Sequence, residues 1–261
     1  MSVPSGMLAD GPGLEPSALE HALMRRDGYL VARRFFDAEK IEKIAQWTAD
    51  LAMAPEISGR HWVYHEASLA QPERRVVQRI ENFCPFHESF SALIEHGALR
   101  RWTGALRGGP VVLFKDKINF KMPGGGGFLP HQDQQAGWGK YAPIFVTAMV
   151  SIDPTTLENG CLEIAPRRPG EGLIGEEWTP LGQGQLTLQP LPTEPGDVLF
   201  FDSFVPHGSK PNLTSAARRV LYLTFNLAAH GDRRLQYFAD KHAAFPPDID
   251  RDVGNSYVFR V

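Results

Sequence analysis

The chain has 261 residues, 43% of them hydrophobic and 22% charged, with a formal net charge of -3. That length can bury a full core, and scattered Lys and Arg under a net negative charge argue against a nucleic-acid or membrane surface. No run of about 18 apolar residues suggests a membrane-spanning helix, and 25 Gly with 21 Pro favour a turn-rich, strand-rich fold over a helix bundle.

Residues 1–15 are small, polar and Pro/Gly-bearing, and read as a flexible N-terminus without the apolar core of a signal peptide. Cys84 and Cys161 fit no metal or redox spacing, so they read as buried thiols of a cytoplasmic protein. One domain is expected over 16–261, with its β core over about 110–227. A short helix over 16–26 opens with Ser17 as N-cap and Glu20 three residues on, a capping-box pattern. Asp27-Gly28 marks a turn, and a short strand follows over 28–32. Asp37 caps a second helix, from Ala38 to about Met53, with Ile41, Ile44, Ala45, Trp47 and Leu51 near helical spacing. His61-Trp62-Val63-Tyr64-His65 alternates as a strand does. Its two His would lie about 13 Å apart on one face, too far for one ion, which leaves a surface or substrate-loop role. A strand is expected over 75–83 and one helix over 87–106.

From Val111 the character changes. In the strand 111–121, Lys115, Lys117, Asn119 and Lys121 share one parity, while Phe114, Ile118 and Phe120 share the other. One face is therefore cationic, either solvated or lining a pocket for an anion. Gly124 to Gly127 lack the G-K-[ST] of a phosphate loop, and read as a hairpin loop. Phe128-Leu129-Pro130-His131-Gln132-Asp133 follows. On an extended strand His131 and Asp133 point the same way, setting an imidazole beside a carboxylate. A polar and aromatic loop, Gln134 to Tyr141, comes next. Strands are then expected over 144–152, 161–165, 198–202 and 218–226, with a loop over 167–190. Many short strands between Pro and Gly turns, preceded by helices, predict a mainly β protein with flanking helices, a sandwich or jelly roll.

HxD alone recurs by chance. A second His, His207 in Val205-Pro206-His207-Gly208-Ser209, would complete two nitrogens and one carboxylate on one face of a metal, the donor set of non-haem Fe(II) oxygenases. Arg218 opens the strand after the His207 corner, and its planar fork suits a carboxylate held near that metal. Thr214 or Ser209 could add a hydroxyl. Metal, chelating 2-oxo acid and carboxylate clamp together make a coherent site.

The order His131-Gln132-Asp133, Glu158-Asn159-Gly160-Cys161-Leu162, Pro195-Gly196-Asp197-Val198, and Pro206-His207-Gly208-Ser209 through Asn212, Thr214 and Arg218 resembles the phytanoyl-CoA dioxygenase family of Fe(II)/2-oxoglutarate oxygenases. The resemblance covers roughly residues 22–235. It implies a double-stranded β-helix, a cupin-like jelly roll. It also implies His131, Asp133 and His207 as iron ligands and Arg218 as the clamp for the distal carboxylate of 2-oxoglutarate. Strand alternation turns only one of Arg218 and Arg219 inward, and the reading takes Arg218. The implied reaction consumes 2-oxoglutarate and O2, releases succinate and CO2, and hydroxylates an unactivated C–H bond; Asp133 favours hydroxylation over halogenation.

Lys115, Asn119, Lys121, Gln134 and Trp138 are read as substrate contacts, with Arg79 and Asn82 nearby and Lys117 toward 2-oxoglutarate. Such a lining suits a small anionic molecule. The segment His131 to Tyr141, with Phe245-Pro246-Pro247-Asp248 and Tyr257-Val258-Phe259, resembles the subgroup of 2-aminoethylphosphonate hydroxylases. Alternatives are an amino acid or acyl-CoA hydroxylase, a cupin-type metalloenzyme that needs no 2-oxoglutarate, and a non-catalytic jelly-roll binding protein.

Overall fold

The computed structural model describes residues 7–8, 13, 15–167, 170, 172–182, 184 and 186–257. Most of the stretch 1–15, and the terminal Val258 and Phe259, lie outside the described residues. Within that stretch, β1 (Met7–Leu8) pairs parallel to a later strand and the Gly13 carbonyl accepts the Trp102 indole N–H at 3.1 Å.

The first helices form where their caps are. Helix α1 (Ala18–Asp27) starts at Ser17: its hydroxyl accepts the Glu20 amide, and the Glu20 carboxylate accepts the Ser17 amide at 2.6 Å. This is the capping box the sequence predicts. The helix ends on Gly28 at φ 78°, where a Cβ would sit 2.7 Å from the Val205 side chain. Strand β2 (Tyr29–Ala32) and helix α2 (Ala38–Met53) follow, the helix capped by the Asp37 carboxylate on the Lys40 amide at 2.8 Å. Next come β3 (Trp62–Ala67) and β4 (Arg75–Glu81). The single helix expected over 87–106 is two, α3 (Glu88–Glu95) and α4 (Ala98–Arg107). Gly97 divides them: its ψ is 172°, and a Cβ on it would lie 2.1 Å from the Leu93 carbonyl oxygen.

The β core comprises β5 (Val111–Lys121), β6 (Phe128–His131), β7 (Val146–Ser151), β8 (Leu162–Ile164), β9 (Gln189–Leu191), β10 (Val198–Asp202), β11 (His207–Ser209) and β12 (Arg218–Leu227). Helix α5 (Arg234–Ala244) closes the order. Strand β9 lies inside the segment expected as a loop, and α5 was not expected at all. Two sheets result, β1-β2-β10-β7-β12-β5-β4-β3 and β6-β11-β8-β9. Apart from β1 on β2, every pairing between them is antiparallel. This is the jelly roll.

The large sheet is covered on both faces, which is why its central strands read as unbroken apolar runs. Val146, Ala148, Val150, Phe200, Leu221, Leu223 and Phe225 pack outward with Phe35, Ile44, Phe90 and Trp102 from the helical side. Met149, Leu199, Phe201, Val220 and Tyr222 pack inward against Leu162, Ile164 and Leu191 of the small sheet. The same alternation turns Arg218 inward, while Arg219 faces the helices and forks onto Asp153 through two 2.8 Å bonds. A register shift opposite Thr224 and Phe225 leaves one extra residue between Leu113 and Lys115. The bulge moves Phe114 off the face of Ile118 and Phe120 and into a second aromatic cluster with Trp138, Phe145 and Tyr237. Among the described residues no helix is long and apolar enough to cross a membrane. Cys84 and Cys161 are both buried free thiols.

Candidate active site

The small sheet brings the two His together. His131 ends β6, His207 begins β11, and the two are direct partners in the antiparallel ladder. Their ring centroids lie 4.4 Å apart. Asp133 is not on the strand as expected: it opens a short 3-10 turn over 133–136. Gln132 between them stays extended, at φ -109° and ψ 134°, so the carboxylate still returns to the face of the imidazoles. The Gln132 side chain fixes that bend. Its amide N–H donates to the Phe204 carbonyl at 2.6 Å, and its oxygen accepts the Ile174 amide at 2.8 Å.

The result is one ligand atom from each of His131, Asp133 and His207, all within 4.8 Å of one another. Asp133 Oδ1 is 3.9 Å from His131 Nε2 and 4.0 Å from His207 Nε2. Each imidazole places Nδ1 against the carbonyl two residues upstream, Leu129 at 2.7 Å and Val205 at 3.0 Å. Bonding in that sense puts the proton on Nδ1 and leaves the Nε2 lone pair aimed at the centre. Burial and the neighbouring His207 push His131 down to about 3, which keeps it a neutral donor. Burial alone would raise the Asp133 carboxyl; His207, His131, Lys117 and Lys115 hold it below its ordinary value. Two imidazoles and a carboxylate, neutral and charged as a metal requires, could hold Fe(II) and leave positions open.

The triad opens into a cavity of about 490 Å³. Of the sequence-predicted residues, Lys115, Lys117, Asn119, Trp138 and Ser209 line it together with the triad, and so does Arg79. Lys117 stands over Tyr222, its ammonium 4.7 Å from the ring centroid, and burial pushes it down to about 7.

Gln134, Lys121, Thr214 and Arg218 do not line it. Gln134 spans the Ser203 hydroxyl at 2.7 Å and the Ala142 carbonyl at 3.4 Å, because the 3-10 turn directs it into the core. Thr214 closes its own loop, donating to Asn212 Oδ1 at 2.7 Å. Lys121, at the far end of the cationic face, donates to the Gly160 carbonyl, the Ser209 hydroxyl at 2.8 Å and the Lys210 carbonyl. Arg218 is its ladder partner, donates to the Gly160 carbonyl and stands beside the cavity-lining Tyr222. Its Nε is buried with no hydrogen-bond partner. The other expected contacts lie elsewhere. Asn82 accepts from Arg234 at 2.8 Å, His61 is buried away from the cavity, and His65 meets Asp248 at 3.1 Å.

Sequence reasoning missed part of the cavity wall. Glu81, Tyr237, Lys241 and Ala244 line it, and three of those four come from α5. Tyr237, Lys241 and Ala244 recur at helical spacing, a signal present in the sequence. Trp178 also lines the cavity, from the segment expected as loop, and its amide is tied to the Gln135 carbonyl at 2.7 Å.

The phytanoyl-CoA dioxygenase (PhyH) family model matches residues 24–220. The chain belongs to that family. A 2-aminoethylphosphonate dioxygenase of an uncultured bacterium is 35% identical over 237 residues, 88% of this chain and 89% of that protein. A methylphosphonate hydroxylase of Gimesia maris is 35% identical over 226 residues, 84% of each chain. Among solved structures, EctD from S. alaskensis with 2-oxoglutarate and 5-hydroxyectoine has a similar fold. It superposes with a TM-score of 0.67 at 20% identity, covering 87% of this chain and 81% of that one. This chain is thus an iron- and 2-oxoglutarate-dependent dioxygenase of the PhyH family. The rival readings, a binding protein without catalysis and a cupin-type enzyme without 2-oxoglutarate, give way to it.

Proposed function

We propose that this dioxygenase hydroxylates a C–H bond of a small phosphonate. In the overall reaction 2-oxoglutarate, O2 and R–H become succinate, CO2 and R–OH. The observation that carries the reading is the cavity itself: the His131, Asp133 and His207 donors open directly onto a wall of Arg79, Lys115, Lys117 and Lys241. The relatives named for phosphonates agree with such a lining.

His131 Nε2, His207 Nε2 and the Asp133 carboxylate are the atoms that would hold iron. When bound, iron would supply the chemistry that links oxidative decarboxylation of 2-oxoglutarate to oxidation of the substrate C–H bond. The chain's own residues do the rest. Arg218, turned inward, and Lys121 beside it are two buried basic groups whose bonds end on carbonyls and a hydroxyl. A distal carboxylate of 2-oxoglutarate would give them the full counter-charge they lack, with the free Arg218 Nε as one donor. Ser209 and Tyr222 connect that end to the cavity. Trp138, Tyr141 and Tyr237 wall off water.

An acyl-CoA would set an uncharged acyl chain against Arg79, Lys115, Lys117 and Lys241.

The test is succinate release with purified protein, Fe(II) and 2-oxoglutarate against panels of phosphonates, amino acids and acyl-CoAs. Stimulation by 2-aminoethylphosphonate or methylphosphonate is expected. Stimulation only by an amino acid or acyl-CoA would replace the substrate class.

A further inference from the structure

We infer that Arg79, Lys115 and Lys241, gathered around the Glu81 carboxylate, form the subsite that takes the substrate's phosphonate head as a dianion. The inference rests on the phosphonate reading above and assigns its recognition to residues outside the metal motif.

The four side chains come from three elements. Arg79 and Glu81 lie on β4, Lys115 on β5 and Lys241 on α5. Glu81 Oε1 is 2.9 Å from Arg79 Nε and 3.9 Å from Lys115 Nζ, and Glu81 Oε2 pairs closely with Lys241 Nζ. All four line the same cavity as the triad. Their side chains are nearly out of solvent, at 2% for Arg79, 1% for Glu81, 12% for Lys115 and 11% for Lys241. Three basic side chains share this one carboxylate.

Among the described lining residues the other acids are engaged elsewhere. Of the remaining cavity acids, Asp133 faces the two imidazoles, and Asp240 is held by Lys140 and by the Tyr141 hydroxyl at 2.7 Å. Asp116, next to Lys115, is buried on the other face with Arg234. The cations are framed by rings. The Arg79 guanidinium lies 4.2 Å from the Tyr64 centroid, and Lys115 lies 5.6 Å from both Trp138 and Tyr237. Such walls lower the local dielectric and strengthen the pull on an anion. Burial also drives the Lys241 ammonium well below its ordinary range, although Glu81 favours its charge. A group in that position gains from a second anion. Three donors from three elements match the three oxygens of a tetrahedral –PO3 head, and three basic groups sharing one carboxylate favour its dianion over a monoanion. Glu81 acts as the positioning residue: it holds the three cations together when the head is absent. An amino group on the substrate meets no uncommitted carboxylate among the described residues, so the head carries the recognition.

The experiment is an anaerobic titration of the Fe(II)–2-oxoglutarate complex with 2-aminoethylphosphonate, following the visible charge-transfer band. The probe for charge is 2-aminoethylsulfonate, the monoanionic analogue. The wild-type complex should respond to the phosphonate and bind the sulfonate at least about 30-fold more weakly. Lys241→Met and Lys115→Met should each weaken phosphonate binding by about 30-fold, the loss expected of one charge-assisted contact. Half-saturation by 2-oxoglutarate should move less than about threefold in the same proteins, which shows that the metal end is intact. Lys241→Arg should recover binding to within about fivefold, because it restores the donor and the charge.

Wild-type binding that neither Met substitution weakens would overturn the subsite and leave the phosphonate reading standing. Equal affinity for phosphonate and sulfonate would overturn the dianion. A wild-type complex that neither responds to the phosphonate nor releases succinate with it would remove the reading on which the subsite rests.

Discussion

Two groups of buried basic side chains, an inner one beside the cavity and an outer one in its wall, are balanced differently. At the inner end Arg218 and Lys121 are ladder partners on β12 and β5, and their donors end on the Gly160 and Lys210 carbonyls and the Ser209 hydroxyl. At the outer end Arg79, Lys115 and Lys241 share the Glu81 carboxylate. Carbonyl dipoles only partly satisfy a cation, so the inner pair keeps its demand for a full negative charge. It is also fixed by adjacent strands of one sheet. The outer cluster carries its own anion and is assembled from two strands and a helix. The difference teaches how such a fold separates its tasks. One end is set by the β5–β12 ladder of the large sheet, separate from the β6–β11 ladder that pairs His131 with His207, and the other can change with α5 without disturbing either.

Breaking the centre gives the largest effect. Asp133→Ala should lose bound iron on dialysis and lower 2-oxoglutarate turnover by about 1,000-fold or more, because neither end can act without the metal between them. Metal analysis and succinate release check this. Removing the outer end's own anion comes next. Glu81→Gln should cost about 3 kcal/mol at pH 7 in urea unfolding, since it leaves buried cations unpaired. Burial would raise the Glu81 carboxyl, but Lys115, Lys241 and Arg79 hold it below the ordinary value of 4.5. A depressed carboxyl contributes stability above its unfolded value and loses it as pH falls through the folded one. The gap between wild type and Glu81→Gln should therefore narrow steadily below about pH 4.5, and a constant gap would count against the pairing. The smallest effect belongs to the rim. Lys140 and Asp240 pair at 2.8 Å with side chains 56% and 41% exposed. Lys140→Met should change the KM for substrate by less than about threefold, as exposed pairs contribute little.

How much of this was legible in the sequence follows the same division. The inner end and the metal site use local signals: His131-Gln132-Asp133, the Pro206-His207-Gly208 corner, and strand parity, which turns Arg218 in and Arg219 out. The strands of the large sheet were readable as apolar runs, and α1 and α2 by their caps. The outer end had no such signal. Glu81 and Lys241 are 160 residues apart and meet only because α5 packs over β4 and β5. Parity itself misled at Phe114, where a bulge that no single residue type announces reverses the face. It held for Lys115, Lys117 and Asn119, but Lys121 turned out to serve the loop carbonyls instead of the cavity. Gly97 was readable only as a glycine, not as the break between α3 and α4, because the clash that forbids a side chain involves the carbonyl of Leu93. Gln134 sits beside Asp133 in sequence, yet the 3-10 turn sends it into the core. Neighbourhood in the chain was a poor guide wherever the backbone left the strand.

In the proposed division the two basic groups serve two different molecules. The most direct test measures KM for both 2-oxoglutarate and 2-aminoethylphosphonate in Arg218→Met and in Lys115→Met. The prediction is a crossed pattern: Arg218→Met raises the 2-oxoglutarate KM by about 30-fold or more and leaves the phosphonate KM within about threefold, and Lys115→Met does the reverse. If both substitutions raise the same KM, the two ends are one site and the division fails.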